Sequence, residues 1–311
     1  MGGASTSCWS IAWRPAEPMT YRPARPGRHR TISLRGLDHH LMTWGPDSED
    51  PVIVLHGYAD CAASFQFVAD EISPALPLVA VDWRGFGGSA RNPGGYWFPD
   101  YYADLDDLVD RLCPRAPARI VGHSMGANVA MIYAGVRPGR VRALVNLEGF
   151  GLPRTEASQA PVRLEKWLDE LRAPADFADY ADVAELAARI TRRNPRVTPE
   201  RAAWVADCWS RSLPGGGVRL LADPAHRRVN PYLYRREEME ACWRRIEARV
   251  LLVVGSESEL LARLAPEGGV ESFRPLVQDL RVETVAGAGH MLHHEEPRAV
   301  ARLIETFFGE F

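Results

Sequence analysis

The chain has 311 residues, of which 46% are hydrophobic and 25% are charged, and its formal net charge is −3 at pH 7. This balance is typical of a globular protein with a sizeable core, and the small net charge gives no electrostatic reason to expect nucleic acid or a membrane surface as a partner. No apolar run approaches the roughly 20 residues that a transmembrane helix needs, so no membrane span is expected. The length predicts one large domain, or a domain that carries an insertion.

The cysteines favour a reducing compartment. They are odd in number and include no Cys-x-x-Cys pair, a pattern that fits neither a disulfide framework nor a zinc site. Residues 1–29 lack the basic and apolar regions of a secretory signal, and we expect them to form a flexible N-terminal leader. We therefore predict a cytoplasmic protein. The five cysteines are Cys8, Cys61, Cys113, Cys208 and Cys242.

The next part of the chain alternates strands and helices. The runs RTISLRG and HHLMTWG predict a hairpin, and the later runs PVIVLHG, LPLVAVD, ARIVGHS, VRALVNLEG and ARVLLVVGS are the continuous apolar segments of strands buried on both faces. Helical patterns over residues 65–72, 101–112 and 125–133 separate these runs. The alternation predicts an α/β fold with a mostly parallel central sheet flanked by helices.

This alternation stops after the strand that ends near Glu148. Residues 153–235 contain the helical stretches VRLEKWLDELR, YADVAELAARI and PERAAWVADCW, and prolines and a Gly-Gly-Gly run separate them. No strand of the buried type is evident there. We predict a helical insertion over residues 153–235 between two parts of one α/β core, residues 30–152 and 236–311.

The segment Gly122-His123-Ser124-Met125-Gly126 follows a predicted strand and opens a predicted helix. This is the G-x-S-x-G pattern of a nucleophile elbow, in the strand–turn–helix context that the elbow requires. The turn strains the serine backbone, and the glycines remove side chains that would collide with neighbouring elements. We predict that Ser124 is a nucleophile.

A serine hydroxyl needs a base that removes its proton, and in this class of site the base comes last in the chain. The run AGHMLHHE follows the final predicted strand, and its first histidine, His290, is the candidate general base and acid. His293 and His294 are expected on the loop or helix that follows. The run has no H-E-x-x-H order and no cysteine or carboxylate at ligand spacing, so we predict no metal site and no cofactor.

Four motifs in this order resemble those of the α/β-hydrolase fold family, and of its serine hydrolases with a helical cap. They are His56-Gly57-Tyr58, the run DWRGFGGS that begins at residue 82, the GHSMG elbow, and Gly289-His290. The resemblance extends from about residue 30 to the C-terminus. It implies an α/β-hydrolase core and makes residues 153–235 the cap.

The resemblance also implies roles for residues near the serine. It places the two oxyanion-hole donors at the backbone N–H groups of Tyr58 and Met125. It gives His56 and the turn after Asp82 structural roles. Serine at the elbow, where epoxide hydrolases and haloalkane dehalogenases of this fold have aspartate, argues against those activities.

The acid of the triad departs from the usual pattern of the family. Most relatives place an aspartate after the strand that here reads ARVLLVVG, and this chain has Ser258 there. Glu148 ends the preceding strand and lies between the serine and the histidine in chain order, so we favour it as the acid. Glu257 and Glu259, which flank Ser258, remain the alternatives.

These features predict a serine hydrolase, in the first instance a carboxylesterase, that cleaves a carboxylic ester or thioester through an acyl-enzyme. The covered site implies a small or medium substrate with an apolar part. The same residues would serve a C–C bond hydrolase, a lactonase or an acyltransferase, and a catalytically silent receptor for a small ligand is the alternative outside enzymes. The oligomeric state is not encoded in any pattern we found.

Overall fold

The computed structural model of the protein describes residues 21–173, 176–264 and 269–310. Residues 1–20 of the expected leader therefore lie outside the described residues. The first strand begins at Arg28.

A mostly parallel sheet forms the centre of the molecule. Eight strands lie in the spatial order β1-β2-β4-β3-β5-β6-β9-β10, in which β1 and β2 are antiparallel, β2 is antiparallel to β4, and the remaining neighbours are parallel. This confirms the predicted fold class. The strands are β1 (Arg28–Leu34), β2 (Leu37–Trp44), β3 (Val52–Leu55), β4 (Leu78–Val81), β5 (Ala118–His123), β6 (Val141–Leu147), β7 (Ser210–Ser212), β8 (Val218–Leu220), β9 (Arg249–Gly255) and β10 (Leu280–Val285).

Helices connect the strands and cover the sheet. Short 3₁₀ turns span Ala62–Phe65, Pro138–Arg140, Ala157–Gln159, Pro224–Arg227 and Val270–Ser272. The α-helices are α1 (Gln66–Glu71), α2 (Phe98–Leu112), α3 (Met125–Val136), α4 (Ala160–Arg172), α5 (Val183–Arg193), α6 (Pro199–Trp209), α7 (Arg236–Trp243), α8 (Glu259–Leu264), α9 (Leu292–Glu295) and α10 (Pro297–Phe308). Among the described residues, no helix is long and apolar enough to cross a bilayer.

The sheet has a hydrophobic core on each face. Ile53 and Leu55 of β3 pack into one core with α2 and α3, whereas Val52 and Val54 of the same strand pack into the other with α1 and α10. Successive side chains of a strand point to opposite faces, so a strand that is buried on both faces must be apolar at every position. This explains the continuous apolar runs in the sequence.

The segment between β6 and α7 contains the helices α4, α5 and α6, and the helical insertion over residues 153–235 stays a prediction. It also contains a feature that the sequence did not indicate, a small antiparallel hairpin of β7 and β8. Gly216 and Gly217 adopt positive φ angles in its turn, and the Leu213 N–H donates to the Gly217 carbonyl at 3.0 Å. Three-residue strands are too short to produce a readable alternation, so the glycine run was the only signal of this hairpin.

The parallel strands bring five separate chain segments to one edge of the sheet. The carboxyl ends of β3, β5, β6, β9 and β10 lie at the same edge, which is where open α/β sheets place ligands. The residues that follow these ends are the sequence-predicted candidates. They are Tyr58 after β3, Ser124 after β5, Glu148 after β6, Glu257 after β9 and His290 after β10.

Candidate active site

Ser124 is the single residue between β5 and α3. Its φ and ψ angles are 50° and −113°, a conformation that is rare for a residue with a side chain. Two backbone bonds hold it there: its N–H donates to the Leu147 carbonyl at 2.8 Å, and its carbonyl accepts the Asn128 N–H at 2.9 Å. Strain of this kind costs about 1–3 kcal/mol and persists only where the surroundings enforce it.

The two glycines of the elbow are required by close backbone contacts. A Cβ atom on Gly122 would lie 2.6 Å from Cα of Ala127, and one on Gly126 would lie 2.5 Å from the Leu55 carbonyl oxygen. Real Cβ atoms do not approach that closely. The tight packing of α3 against β5 and against β3 therefore needs glycine at positions 122 and 126, respectively.

His290 lies between Ser124 and Glu148. Its Nε2 is 3.0 Å from Ser124 Oγ, and its Nδ1 is 3.3 Å from Glu148 Oε2. A carboxylate accepts only, so Nδ1 carries the proton and Nε2 is left to accept from the serine hydroxyl. The arrangement is that of a nucleophile, a base and a group that orients the base.

Glu148 is fully buried and also has a positive φ, of 59°. Its Oε1 accepts the Gly255 N–H at 2.7 Å, and its Oε2 accepts the Ser258 hydroxyl at 2.5 Å. A buried carboxylate is stable only when such donors replace water. The alternative acids Glu257 and Glu259 are exposed, and in the described part of the chain the carboxylate that bonds to the His290 ring is that of Glu148.

Both predicted oxyanion-hole donors belong to chain segments next to Ser124. Met125 is the first residue of α3, so its N–H has no acceptor within the helix. Tyr58 follows Gly57, at which a Cβ atom would lie 3.2 Å from Cβ of Ser124, so the end of β3 packs directly against the nucleophile. The Tyr58 hydroxyl donates to the His226 carbonyl at 3.0 Å.

His226 links the segment 153–235 to residues of the core. Its ring stacks on Phe86 and Tyr96, with ring centroids 3.9 Å and 3.5 Å away. Burial lowers the pKa of His226 to about 4, so the ring is neutral at pH 7. A neutral imidazole stacked between aromatic rings is a packing element, and together with the Tyr58 contact it fixes this segment to the core.

His56 and Asp82 have structural contacts. His56 Nδ1 donates to the Gly57 carbonyl at 2.7 Å, and its Nε2 accepts the Trp83 N–H at 3.0 Å. Asp82 accepts the Ala62 N–H at 2.6 Å and lies 2.7 Å from Nδ1 of His40. Burial raises the pKa of Asp82, but the hydrogen bond and charge of His40, together with His56 and the Ala62 N–H, outweigh burial and leave the pKa below its usual value.

A buried histidine cluster lies behind His290. The Nε2–H of His123 donates to the His290 carbonyl at 2.8 Å, and its ring packs against that of His293 with centroids 4.2 Å apart. Burial lowers the pKa of His123 well below its usual value, and it lowers the pKa of both His293 and His294 to about 3. These imidazoles are therefore neutral, and His123 ties the nucleophile turn to the loop of the general base.

Asp60 completes this cluster. Oxygen and nitrogen atoms of Asp60, His123 and His293 lie within 4.8 Å of one another, a set that could hold a transition-metal ion. The sequence had shown no carboxylate near the histidines because Asp60 lies 233 residues before His293. Both carboxylate oxygens are already occupied, so the absence of a metal site stays our prediction. The donors to Asp60 are the Cys61 N–H, Trp209 Nε1, Ser64 Oγ and His293 Nε2.

A family model described as the alpha/beta hydrolase fold matches residues 50–297. The chain belongs to the α/β-hydrolase fold family. The match covers the elbow, both oxyanion candidates and the histidine, and so it confirms the resemblance that the four motifs carry.

Several relatives of this α/β hydrolase have hydrolase names. A serine hydrolase-like protein of Danio rerio is 26% identical over 277 residues, which are 86% of this chain and 83% of the relative. A 2-(acetamidomethylene)succinate hydrolase of Mesorhizobium japonicum is 27% identical over 256 residues, 82% of this chain and 87% of the relative. Among solved structures, the thioesterase domain from the curacin biosynthetic pathway superposes with a TM-score of 0.81 at 26% identity, covering 90% of this chain and 99% of that domain.

Sequence reasoning missed two contacts of this α/β hydrolase. Ser258 was noticed as the residue that replaces an aspartate, but its bond to Glu148 was not foreseen. No role is assigned to His123 from the sequence, yet its Nε2–H donates to the carbonyl of His290. The sequence did contain two signals of these contacts. His123 is a polar residue at a variable position of the motif, and Ser258 has a hydroxyl where relatives have the acid.

Proposed function

We propose that this α/β hydrolase is a serine hydrolase that cleaves a carboxylic ester or thioester through an acyl-enzyme on Ser124. The observation that carries the proposal is the continuous contact from Ser124 through His290 to Glu148, with separations of 3.0 and 3.3 Å. The intact elbow argues against a silent receptor, because a binding protein has no use for a strained serine beside a base.

The first half of the reaction acylates the serine. Ser124 Oγ attacks the acyl carbon while His290 Nε2 takes its proton, and the Glu148 carboxylate stabilises the imidazolium through Nδ1–H. The N–H groups of Tyr58 and Met125 stabilise the oxyanion, and each such donor lowers the barrier by roughly 3 kcal/mol. When the tetrahedral intermediate collapses, His290 gives its proton to the leaving oxygen or sulfur.

The second half returns the enzyme to its starting state. A water molecule attacks the acyl carbon, and His290 Nε2 now takes a proton from that water. Collapse of the second tetrahedral intermediate releases the carboxylic acid, and the proton returns to Ser124 Oγ. No metal ion or cofactor has a part in the scheme we propose.

We further propose that residues 153–235 act as a cap that admits a small or medium substrate with an apolar part. The hydrogen bond between Tyr58 and His226 supports a cap over the site, since it joins the segment to the residue after β3 that we propose as an oxyanion-hole donor. The esterase and thioesterase activities use the same residues, and the thioesterase domain among the structural relatives is the reason to test both. We expect the protein to act in the cytoplasm.

The test is hydrolysis of p-nitrophenyl esters and acyl thioesters of increasing acyl length, with wild type and Ser124→Ala in parallel. We expect turnover by wild type only, and labelling of Ser124 by a fluorophosphonate probe. The preferred acyl length measures the pocket beneath the cap. Absence of both turnover and labelling in a folded wild-type protein would overturn the proposal in favour of a silent receptor.

A further inference from the structure

The backbone of Glu148 follows β6, but its carboxylate lies at the end of the neighbouring strand, β9. Glu148 follows β6, but its Oε1 accepts the N–H of Gly255, the last residue of β9. The long side chain and the positive φ of 59° carry the carboxylate across to the neighbouring strand end. The acid thus occupies the region that an aspartate after β9 would reach.

Ser258 holds the carboxylate there. The serine is buried, and its hydroxyl donates to Glu148 Oε2, the same oxygen that faces His290 Nδ1. Ser258 Oγ also accepts the Leu261 N–H at 3.2 Å, as the residue that caps the start of α8. Because the backbone N–H takes an acceptor site on Oγ, the single hydroxyl hydrogen is directed to the carboxylate.

We propose that Ser258 is the positioning residue for the acid of the triad, and that Glu148 and Ser258 together replace a single aspartate. One residue supplies the charge and the other supplies the anchor at the end of β9. It follows that the two roles can be exchanged between the positions. This inference rests on the proposed serine hydrolase function.

The exchange is tested with Glu148→Gln and Ser258→Asp. The single variant Glu148→Gln keeps the shape but loses the charge, and we expect its kcat to fall by about 10⁴-fold, as for a triad acid changed to its amide. In the double variant the side-chain carbonyl of the introduced glutamine still accepts the Gly255 N–H, and its amide NH₂ donates to the new carboxylate at position 258. We expect the double variant to regain at least about tenfold of the lost kcat, with a KM close to that of wild type.

The matched control adds the same charge two residues earlier in the same turn. Ser256 is exposed, and among the described residues its hydroxyl bonds to Glu257 and to the Gly287 N–H and not to Glu148. We expect Glu148→Gln/Ser256→Asp to stay at the level of Glu148→Gln. Equal recovery in both double variants would overturn the proposal, because a general charge effect would then explain the result. No recovery in a Ser258→Asp double variant with wild-type Tm would also overturn it.

A second pair of variants separates positioning from helix capping. Asparagine at position 258 keeps both a cap acceptor and an N–H donor for Glu148, whereas alanine keeps neither. We expect Ser258→Ala to lower kcat and the rate of fluorophosphonate labelling by about 10- to 100-fold, the worth of a hydrogen bond to a charged group, and Ser258→Asn to restore most of it. If Ser258→Ala lowers Tm but leaves kcat unchanged, Ser258 is only a cap. This pair decides the matter if the double variant does not fold.

The proposed function and this inference fail in different ways. Wild-type protein that neither hydrolyses esters nor reacts with fluorophosphonate at Ser124 contradicts the serine hydrolase function. Wild-type protein that does both, with Ser258 variants of unchanged kcat, contradicts the positioning role alone.

Discussion

The ends of β5 and β6 are similar in conformation and different in how the sequence encodes them. Each strand is followed by a residue with a side chain and a positive φ, Ser124 at 50° and Glu148 at 59°. Glycines on both sides of Ser124 form a motif that is visible in the sequence. The turn at Glu148 is built by Asn146, whose side chain accepts the Gly149 N–H at 2.7 Å and donates to the Gly149 carbonyl at 2.9 Å. Strained backbone marks both functional positions, but only one of them has a recognisable pattern.

Substitution of Ser124 and of Glu148 by glycine tests how the two strand ends differ. We expect Ser124→Gly and Glu148→Gly each to lower kcat by about 10⁴-fold or more. Stability should separate them: Ser124→Gly relieves strain, and its free energy of unfolding should rise by up to about 1 kcal/mol. Glu148→Gly leaves two buried donors, Gly255 N–H and Ser258 Oγ, without their acceptor, so its free energy of unfolding should fall by about 1–3 kcal/mol.

Urea unfolding of the two glycine variants and wild type provides the measurement. A shift of both midpoints in the same direction would contradict the difference that we draw between the two strand ends. Equal m-values are the control, because they show that the denatured state is unchanged.

The substitution Gly126→Ala tests whether the close packing around the elbow requires glycine. Its Cβ would lie 2.5 Å from the Leu55 carbonyl oxygen, so we expect the free energy of unfolding to fall by about 1–3 kcal/mol and labelling of Ser124 to slow. Gly139 is the matched control, since a Cβ there meets nothing within 4 Å. Gly139→Ala should change stability by less than about 0.5 kcal/mol. Similar losses at both glycines would argue against tight packing as the reason for the motif.

The burial of the histidines leads us to expect a smaller effect, on the pH dependence of folding stability. The pKa of His293 is lowered from 6.5 to about 3, chiefly by burial, so the unfolded chain binds a proton that the folded protein does not. The contribution to stability is complete above pH 6.5 and is lost as pH falls towards 3, at up to about 1.4 kcal/mol per pH unit. We expect His293→Gln to be less stable at pH 7 and to have a shallower dependence of Tm on pH between 5 and 7. An unchanged slope would show that this imidazole titrates normally in the folded state.

Much of the fold was readable because it depends on local patterns. Continuous apolar runs between helical patterns predict the parallel sheet, and the serine and histidine candidates lie within short motifs next to strand ends. The contacts of Ser258 and Asp60 depend on which strand ends become neighbours. Ser258 meets a residue 110 positions earlier, and His293 meets one 233 positions earlier. Such pairs leave no periodicity or spacing in the sequence, so topology must be known before they can be seen.

The contacts between the core and the segment 153–235 set a condition for protein engineering. In the described part of the chain several side chains of the core bond to this segment. Three of them are Tyr58, which donates to the His226 carbonyl, Asp60, which accepts from Trp209 Nε1 at 2.8 Å, and Tyr96, whose hydroxyl donates to Asp223 at 2.8 Å. A chimera that exchanges the whole segment for that of another hydrolase would remove all three partners, and the buried Asp60 would lose a donor. A graft that retains Trp209 and the turn from Asp223 to His226 would keep them. For the cap that we propose, new specificities are therefore best sought by exchanging α4 and α5 alone.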